Sequence, residues 1–465
     1  MKKVSLIAAA VASALVAGSA FAESEVALDV TSGDSAMEVE VKNPTDVITD
    51  GWEVHGYMSS NVRVVDGKTV DTEFGKPDYK TAGTHGKSTN QVEFVIKKHS
   101  EYQNGVWADY VLRTEYGNGN SYAYSSSGSQ KADTTAQFEV KEAFVELGGI
   151  LGEDTSIWGG QRFLNRAAGI LSGEFWKQSS GIGAGIQTKL AGHTAGIAYV
   201  MADPDAGKAD YMKCQDPTKP EYDATKPACE TVTKGERTTA SSIDLYFYGV
   251  ETGIGSLDFD FKYGQKVVND GEDQDGIGAS VTLNTSYYGL DGWTQNVIAY
   301  GSGVMQNRGV NFGGWSGGDD KAESLFLTSY GVLNISERWQ LGTEAVYFTA
   351  LDQLFGADGL TRYMVAARPS YKLNDNVRLE ATASYGHEEG DEGYFGGRTG
   401  DAVESDILNL EIATAFTANS DYFGRPQVKP YISYIKADDE ASAKQIGIDN
   451  GKDEFVFGVH TEIWF

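Results

Sequence analysis

Histidine and cysteine are the residue types most able to carry out acid–base, metal or thiol chemistry, and this chain of 465 residues holds six of the first and two of the second. His55, His85, His99, His193, His387 and His460 are scattered, with no metal-ligand spacing such as H-E-x-x-H among them. Cys214 and Cys229 lie in DYMKCQDPTKPEYDATKPACE, a polar stretch whose three prolines exclude it from a membrane strand. Their spacing and surroundings do not supply four metal ligands. A loop disulfide formed in an oxidising compartment is expected, with a pair of free thiols as the alternative. The chain reads as a non-enzyme with no cofactor and no metal site.

Strands rather than helices must position whatever this chain does. The closing segment DEFVFGVHTEIWF puts Phe455, Phe457, Val459, Thr461, Ile463 and Phe465 on one face, and Glu454, Val456, Gly458, His460, Glu462 and Trp464 on the other. One face suits lipid and the other a wet lumen, which favours a closed barrel in a membrane over a soluble sheet. A terminal aromatic strand of this kind also marks bacterial outer-membrane cargo. From Trp52 onward, segments of about ten alternating residues recur, separated by short turns and longer polar loops. Strands are expected near 52–64, 90–101, 104–117, 136–147, 156–162, 181–188, 192–202, 240–251, 256–266, 277–288, 293–301, 322–334, 337–349, 361–373, 376–387, 404–418, 426–436 and 453–465.

In the clearest of these, Leu257, Phe259, Phe261 and Tyr263 alternate with Asp258, Asp260 and Lys262. In another, Val377, Leu379, Ala381, Ala383 and Tyr385 alternate with Arg378, Glu380, Thr382 and Ser384. Charged faces argue for an aqueous interior, whereas a soluble β-sandwich would pack apolar side chains between its sheets. The expected fold is therefore all-β, a transmembrane antiparallel β-barrel of about 18 strands. Short turns such as Asn374-Asp375 and Asn334-Ile335-Ser336 would face the periplasm, and segments 203–239, 302–321 and 388–403 would face outward. Between Arg162 and Gly181 the alternation fails, so this stretch is expected to fold into the lumen as a constriction loop that sets selectivity.

At the other end, Lys2 and Lys3, the apolar run Val4 to Ala17 and the small residues before Glu23 have the form of an export signal over 1–22. Residues 23–51 read as an acidic periplasmic extension and 52–465 as the barrel. Loss of Lys2 and Lys3 would take the net charge from −28 to −30, which disfavours nucleic acid as a partner. Gly 56, Tyr 25 and Phe 20 are the mixture expected of glycine-relieved strands and aromatic girdles. The bacterial outer membrane, with its lipid and lipopolysaccharide, is the expected location.

Several segments resemble the maltoporin family of sugar-specific outer-membrane porins: VHGY at 54–57, KEAF at 141–144, SIWGGQRFLNR at 156–166, SGIGAG at 180–185, ARPSYK at 367–372, GRPQVKPYISY at 424–434 and FGVHTEIWF at 457–465. They stand in family order and span nearly the whole mature chain. The resemblance implies an eighteen-stranded homotrimeric barrel that passes maltose, maltodextrin or a related oligosaccharide along an aromatic slide flanked by polar tracks. Aromatic faces cover the C–H faces of a pyranose, and ionic side chains exchange hydrogen bonds with its hydroxyls.

By this resemblance Tyr57, Phe423 and Trp464 match slide aromatics, and alternation puts Tyr57 and Trp464 on the lumen face. Lys141 and Arg166 match the polar track, and Phe175 stands at the constriction in place of a tyrosine. For Lys141 and Arg166 the alternative is pairing with carboxylates that hold a folded loop. The chain departs from the family where Ala168 and Gly173 replace loop aspartates, Ser59 replaces a basic residue and Asn296 a mid-channel aromatic. A thinner binding track follows, suited to a different sugar or to weaker binding of long maltodextrins. Tyr122 and Tyr124 are candidate substitutes for an aromatic that many relatives supply from a neighbouring subunit. A general diffusion porin for small hydrophilic solutes is the rival reading.

Overall fold

The computed structural model describes residues 47–75, 81–117, 137–202, 211–214, 229–232, 238–268, 273–391 and 403–465. The expected signal, most of the acidic extension, and Tyr122 and Tyr124 lie outside the described residues.

Eighteen long strands among the described residues build one antiparallel sheet: β1 (Val47–Val65), β2 (Asn90–Tyr102), β3 (Trp107–Gly117), β4 (Gln137–Gly148), β5 (Ser156–Ala168), β6 (Phe175–Leu190), β7 (His193–Ala202), β8 (Thr238–Thr252), β9 (Gly255–Val268), β10 (Gln274–Tyr287), β11 (Leu290–Ser302), β12 (Glu323–Asn334), β13 (Trp339–Ala350), β14 (Thr361–Asn374), β15 (Val377–Gly390), β16 (Val403–Thr417), β17 (Gln427–Ala437) and β18 (Asp453–Trp464). Each pairs with its neighbour in sequence. The sheet closes where β1 meets β18, with Tyr57 opposite Trp464 and Val64 opposite Phe457. Closure leaves no unpaired edge, the condition for a sheet that spans lipid. No helix of the described residues is long and apolar enough to cross a membrane.

The period of two sorts the side chains as expected. On β1, Val54 and Val62 stay 55% and 45% exposed on the outer face, whereas Ser59, Asn61 and Arg63 point inward and are fully covered. On β9, Phe259 and Phe261 face outward while Asp260 and Lys262 are buried inside. On β15, Leu379 and Tyr385 face out, and Arg378, Glu380, Thr382 and Ser384 face in. Outer-face aromatics pair near the strand ends, as Trp339 with Tyr371 at 4.7 Å and Tyr434 with Phe455 at 4.9 Å, which is the placement of interfacial girdles.

Polar side chains become buried in a barrel only if something fills the lumen, and here the loops do. Segment 302–321, expected to face outward, folds back inside: Val304, Met305, Val310 and Phe312 are fully buried, and Asn311–Phe312 pairs in parallel with Gln178–Ser179. Four apolar side chains in that segment cannot remain in water at no cost, and the lumen offers them cover.

Candidate functional site

Three segments besides 302–321 shape the interior. The first is the stretch between Arg162 and Gly181, which is a two-stranded ribbon rather than an irregular loop. Strand β5 leaves β4 after Gln161 but stays paired with β6 as far as Ala168 opposite Phe175. Asn165 takes a positive φ of 53° and the register shifts between Leu164 and Ala167, so the alternation changes phase there. That phase change hid the ribbon from a period-two reading. The ribbon folds inward as expected: Lys177 pairs with Asp260 at 3.1 Å, and Lys262 donates to the Gln178 carbonyl at 3.1 Å. Trp176 Nε1 donates to the Tyr330 hydroxyl at 3.0 Å, and Glu174 pairs with Arg308. At the tip, Leu171 and Ser172 donate their backbone N–H groups to Glu344 of β13, at 2.6 and 3.1 Å.

The second comprises residues 71–75 and 81–89, whose inward fold the sequence did not disclose. Thr84 donates its N–H and its hydroxyl to Glu411 at 2.7 and 2.6 Å. Ala82 donates to Ser384 at 3.0 Å, and Arg63 donates to the His85 carbonyl at 2.8 Å. The available signal was the run of polar inner residues on β1 and β15, with Asn409 and Glu411 of β16, far too costly to bury unless a loop supplied partners.

The third is the turn 418–426 between β16 and β17. Arg378 donates to the Asp421 carbonyl, and Tyr422 donates its N–H to Gln340 of β13 at 2.9 Å. The Tyr422 ring lies against Gly342, where a Cβ would meet its hydroxyl at 1.9 Å. Burial pushes the Tyr422 hydroxyl up to about 12. The turn thereby carries Phe423 inward.

The aromatics expected on the lumen divide into two groups. Tyr57 and Trp464 face each other across the β1–β18 closure; the Tyr57 hydroxyl donates to Glu462 at 3.2 Å, and the Arg425 guanidinium lies 4.5 Å above the Trp464 ring. Phe423 stacks on Trp293 at 6.3 Å and 29°, and Trp293 meets Tyr330 edge-on at 6.3 Å. Phe423, Trp293 and Trp464 remain 41%, 38% and 44% exposed, so their faces are open to a solute. Trp293 was missed. Asn296, taken for the mid-channel position, is on the outer face, where it accepts from Ser329 at 2.8 Å.

The expected polar track also divides. Lys141 is the extra residue of a β-bulge, since Arg113 faces Glu142 and Thr114 faces Val140. It pairs with Glu139 and, at 3.6 Å, with Glu115. Arg166 instead lies 3.7 Å over the Phe175 ring and 4.7 Å over Phe163, a cation–π stack on the ribbon. Ser59 is covered and sits 3.0 Å from His460 Nε2. Ala168 is opposite Phe175, and Gly173 takes a φ of 69° at the ribbon tip. The acidic groups at this constriction are Glu174 and Glu344 rather than residues at positions 168 and 173.

Cys214 and Cys229 are direct cross-strand partners in a short ladder, Tyr211–Cys214 with Cys229–Val232. Gly314-Trp315-Ser316-Gly317-Gly318 matches the G-x-S-x-G spacing. Its serine accepts the Gly313 N–H at 3.1 Å and closes a turn, with no histidine bonded to it among the described residues. Nor do any three His, Cys, Asp or Glu groups among the described residues converge on a metal site.

A family model described as LamB porin matches residues 52–465. Among curated relatives, a maltoporin of Vibrio cholerae serotype O1 (strain ATCC 39315 / El Tor Inaba N16961) is 24% identical over 497 residues, covering 100% of both chains. A maltoporin of Hahella chejuensis is 26% identical over 359 residues, covering 74% of this chain and 77% of its own.

Proposed function

The chain belongs to the LamB porin family, and from that membership we propose that this bacterial outer-membrane β-barrel passes maltose, maltodextrin or a related oligosaccharide by facilitated diffusion. The observation that carries the reading is the set of lumen rings, Trp464 beside the half-buried Tyr57 at the barrel closure and Phe423 stacked on Trp293. Stacked rings offer sugar a face to bind, and the ionic groups beside them, Arg425 and Glu462, trade hydrogen bonds with its hydroxyls. Each contact is weak enough to release. Phe175 with Arg166, and Lys141, form the ribbon-side wall of the same path. We take the working unit to be a homotrimer in lipopolysaccharide-bearing lipid, by analogy with the maltoporins.

Planar-bilayer conductance with maltotriose tests this. Saturable block of the current, relieved in Tyr57→Ala and Trp464→Ala, is the expected result. The rival, a general diffusion porin, draws support from the ion pairs that line the wall, Arg113 with Glu93 and Glu142, Lys141 with Glu115, and Arg378 and Lys429 with Glu380. It predicts a current that sugar leaves unchanged.

A further inference from the structure

We propose that Gln295, Asn284 and Asp258 form a further sugar subsite beside Trp293, one that reads the adjacent O2 and O3 hydroxyls of a neutral, 4-linked glucose unit. The inference rests on the sugar-channel reading and specifies which hydroxyls that channel recognises.

The three residues belong to a chain of hydrogen bonds that all run one way. Trp176 Nε1 donates to the Tyr330 hydroxyl at 3.0 Å, and Tyr330 donates to Gln295 Oε1. Gln295 Nε2 then donates to Asn284 Oδ1 at 2.8 Å, and Asn284 Nδ2 to Asp258 Oδ2 at 2.8 Å. Both ends fix the direction, because an indole nitrogen only donates and a carboxylate only accepts. Both amides are thereby oriented. Glu344, Tyr330, Gln295 and Asn284 are direct cross-strand partners from β13 to β10. The row therefore starts where Glu344 holds the ribbon tip and runs from the constriction across the wall to Asp258 of β9.

Each amide keeps its second N–H without a partner among the described residues. Asp258 accepts in addition the Gly249 N–H at 2.8 Å, and no cation pairs with it among the described residues. All three side chains belong to half-buried residues, in contrast to the covered Tyr330 and Glu344. Trp293 stands two residues before Gln295 on the same face of β11, about 7 Å along the strand, with 38% of its surface exposed. A pyranose lying on that ring brings its hydroxyl edge to spare amide donors and a carboxylate acceptor set side by side. Adjacent hydroxyls, each able to donate and to accept, match that alternation, and within a 4-linked glucan O2 and O3 are the adjacent pair left free. An acidic sugar would instead set its charge against Asp258.

The test is planar-bilayer conductance, comparing the concentrations of maltotriose and of its analogue lacking every O2 hydroxyl that halve the current. In the wild type the analogue should need about fivefold more. In Asn284→Leu the ratio should fall toward one, because maltotriose loses its hydrogen bonds while the analogue, held on the rings, does not. Gln295→Met should collapse the ratio in the same way, and it carries the test if Asn284→Leu lacks the heat-modifiable gel mobility of a folded barrel. A ratio of one in the wild type overturns the subsite and leaves the sugar channel standing. So does a ratio that survives in a folded variant, as when a reshaped lumen weakens both compounds together. Block by neither compound overturns both readings.

Discussion

Glu344 Oε2 accepts the backbone N–H of Leu171 at 2.6 Å across 173 residues of chain, so one carboxylate on β13 anchors the tip of the ribbon that narrows the lumen. The same carboxylate takes the N–H and hydroxyl of Ser172 and fits only because Gly169 lacks a Cβ, which would meet Glu344 Oε1 at 2.1 Å. Hydrogen bonds to a charged acceptor are worth about 1.5–3 kcal/mol each, so removing this one frees the tip without unfolding the eighteen-stranded wall. Glu344→Ala is expected to raise single-channel conductance and open-channel noise, and Gly169→Ala to do the same by displacing the carboxylate. Conductance and noise equal to wild type in both would contradict the anchoring role.

Phe423 and Trp293 supply a second test, because they come from different elements, the 418–426 turn and β11, and meet only if the turn folds inward. An aromatic pair contributes about 0.5–1.5 kcal/mol beyond its area, so either Phe423→Ala or Trp293→Ala should raise the half-blocking sugar concentration roughly 3–10-fold. The double variant should cost less than the two single losses combined, since each already breaks the stack. Strict additivity in the same block assay would show that the rings act separately.

Much of this architecture was legible because a barrel wall obeys one period. Residue type and alternation were enough to assign Phe259, Asp260, Phe261 and Lys262 to their faces, whereas the register that sets Tyr57 opposite Trp464 was not readable from either segment. Broken alternation pointed to the inward fold of the stretch between Arg162 and Gly181, but not to its ribbon form or to the other segments that fill the lumen. Asn165, with its positive φ, breaks the phase within the 163–168 half of the ribbon, and the segments 71–89 and 302–321 have no period at all. Asn296 was misread although the period of two alone puts it and Trp293, three places away on the same strand, on opposite faces. The partition of Lys141 onto carboxylates and Arg166 onto rings depends on a β-bulge and a fold-back that no spacing rule contains.

Cys214 and Cys229 oppose each other in register, and cross-strand partners of an antiparallel pair stand about 4.5–5.5 Å apart at Cα, inside the range a disulfide spans. Peptide mapping of the exported protein without reductant should recover the two cysteine peptides linked, and reduction should separate them. Alkylation of both thiols before reduction would exclude the bond.

Glu411 fastens the stretch 81–89 as Glu344 fastens the ribbon, through Thr84 N–H and hydroxyl at 2.7 and 2.6 Å, and is itself steadied by the Ser433 hydroxyl of β17 at 2.6 Å. In Glu411→Ala the Thr84 groups lose a charged acceptor while Arg63 still grips the later part of the segment at His85 and Thr89. Ala82, still bonded to Ser384 and Asn409, holds the side that precedes Thr84, so the chain at Lys87 should loosen only slightly until Arg63 is removed as well. Limited trypsin digestion of the detergent-solubilised barrel is expected to cut after Lys87 slowly in wild type, modestly faster in Glu411→Ala and at least about tenfold faster in Glu411→Ala with Arg63→Gln, the order that two cooperating anchors impose. Equal cleavage in all three proteins would mean that neither side chain holds the segment in the lumen.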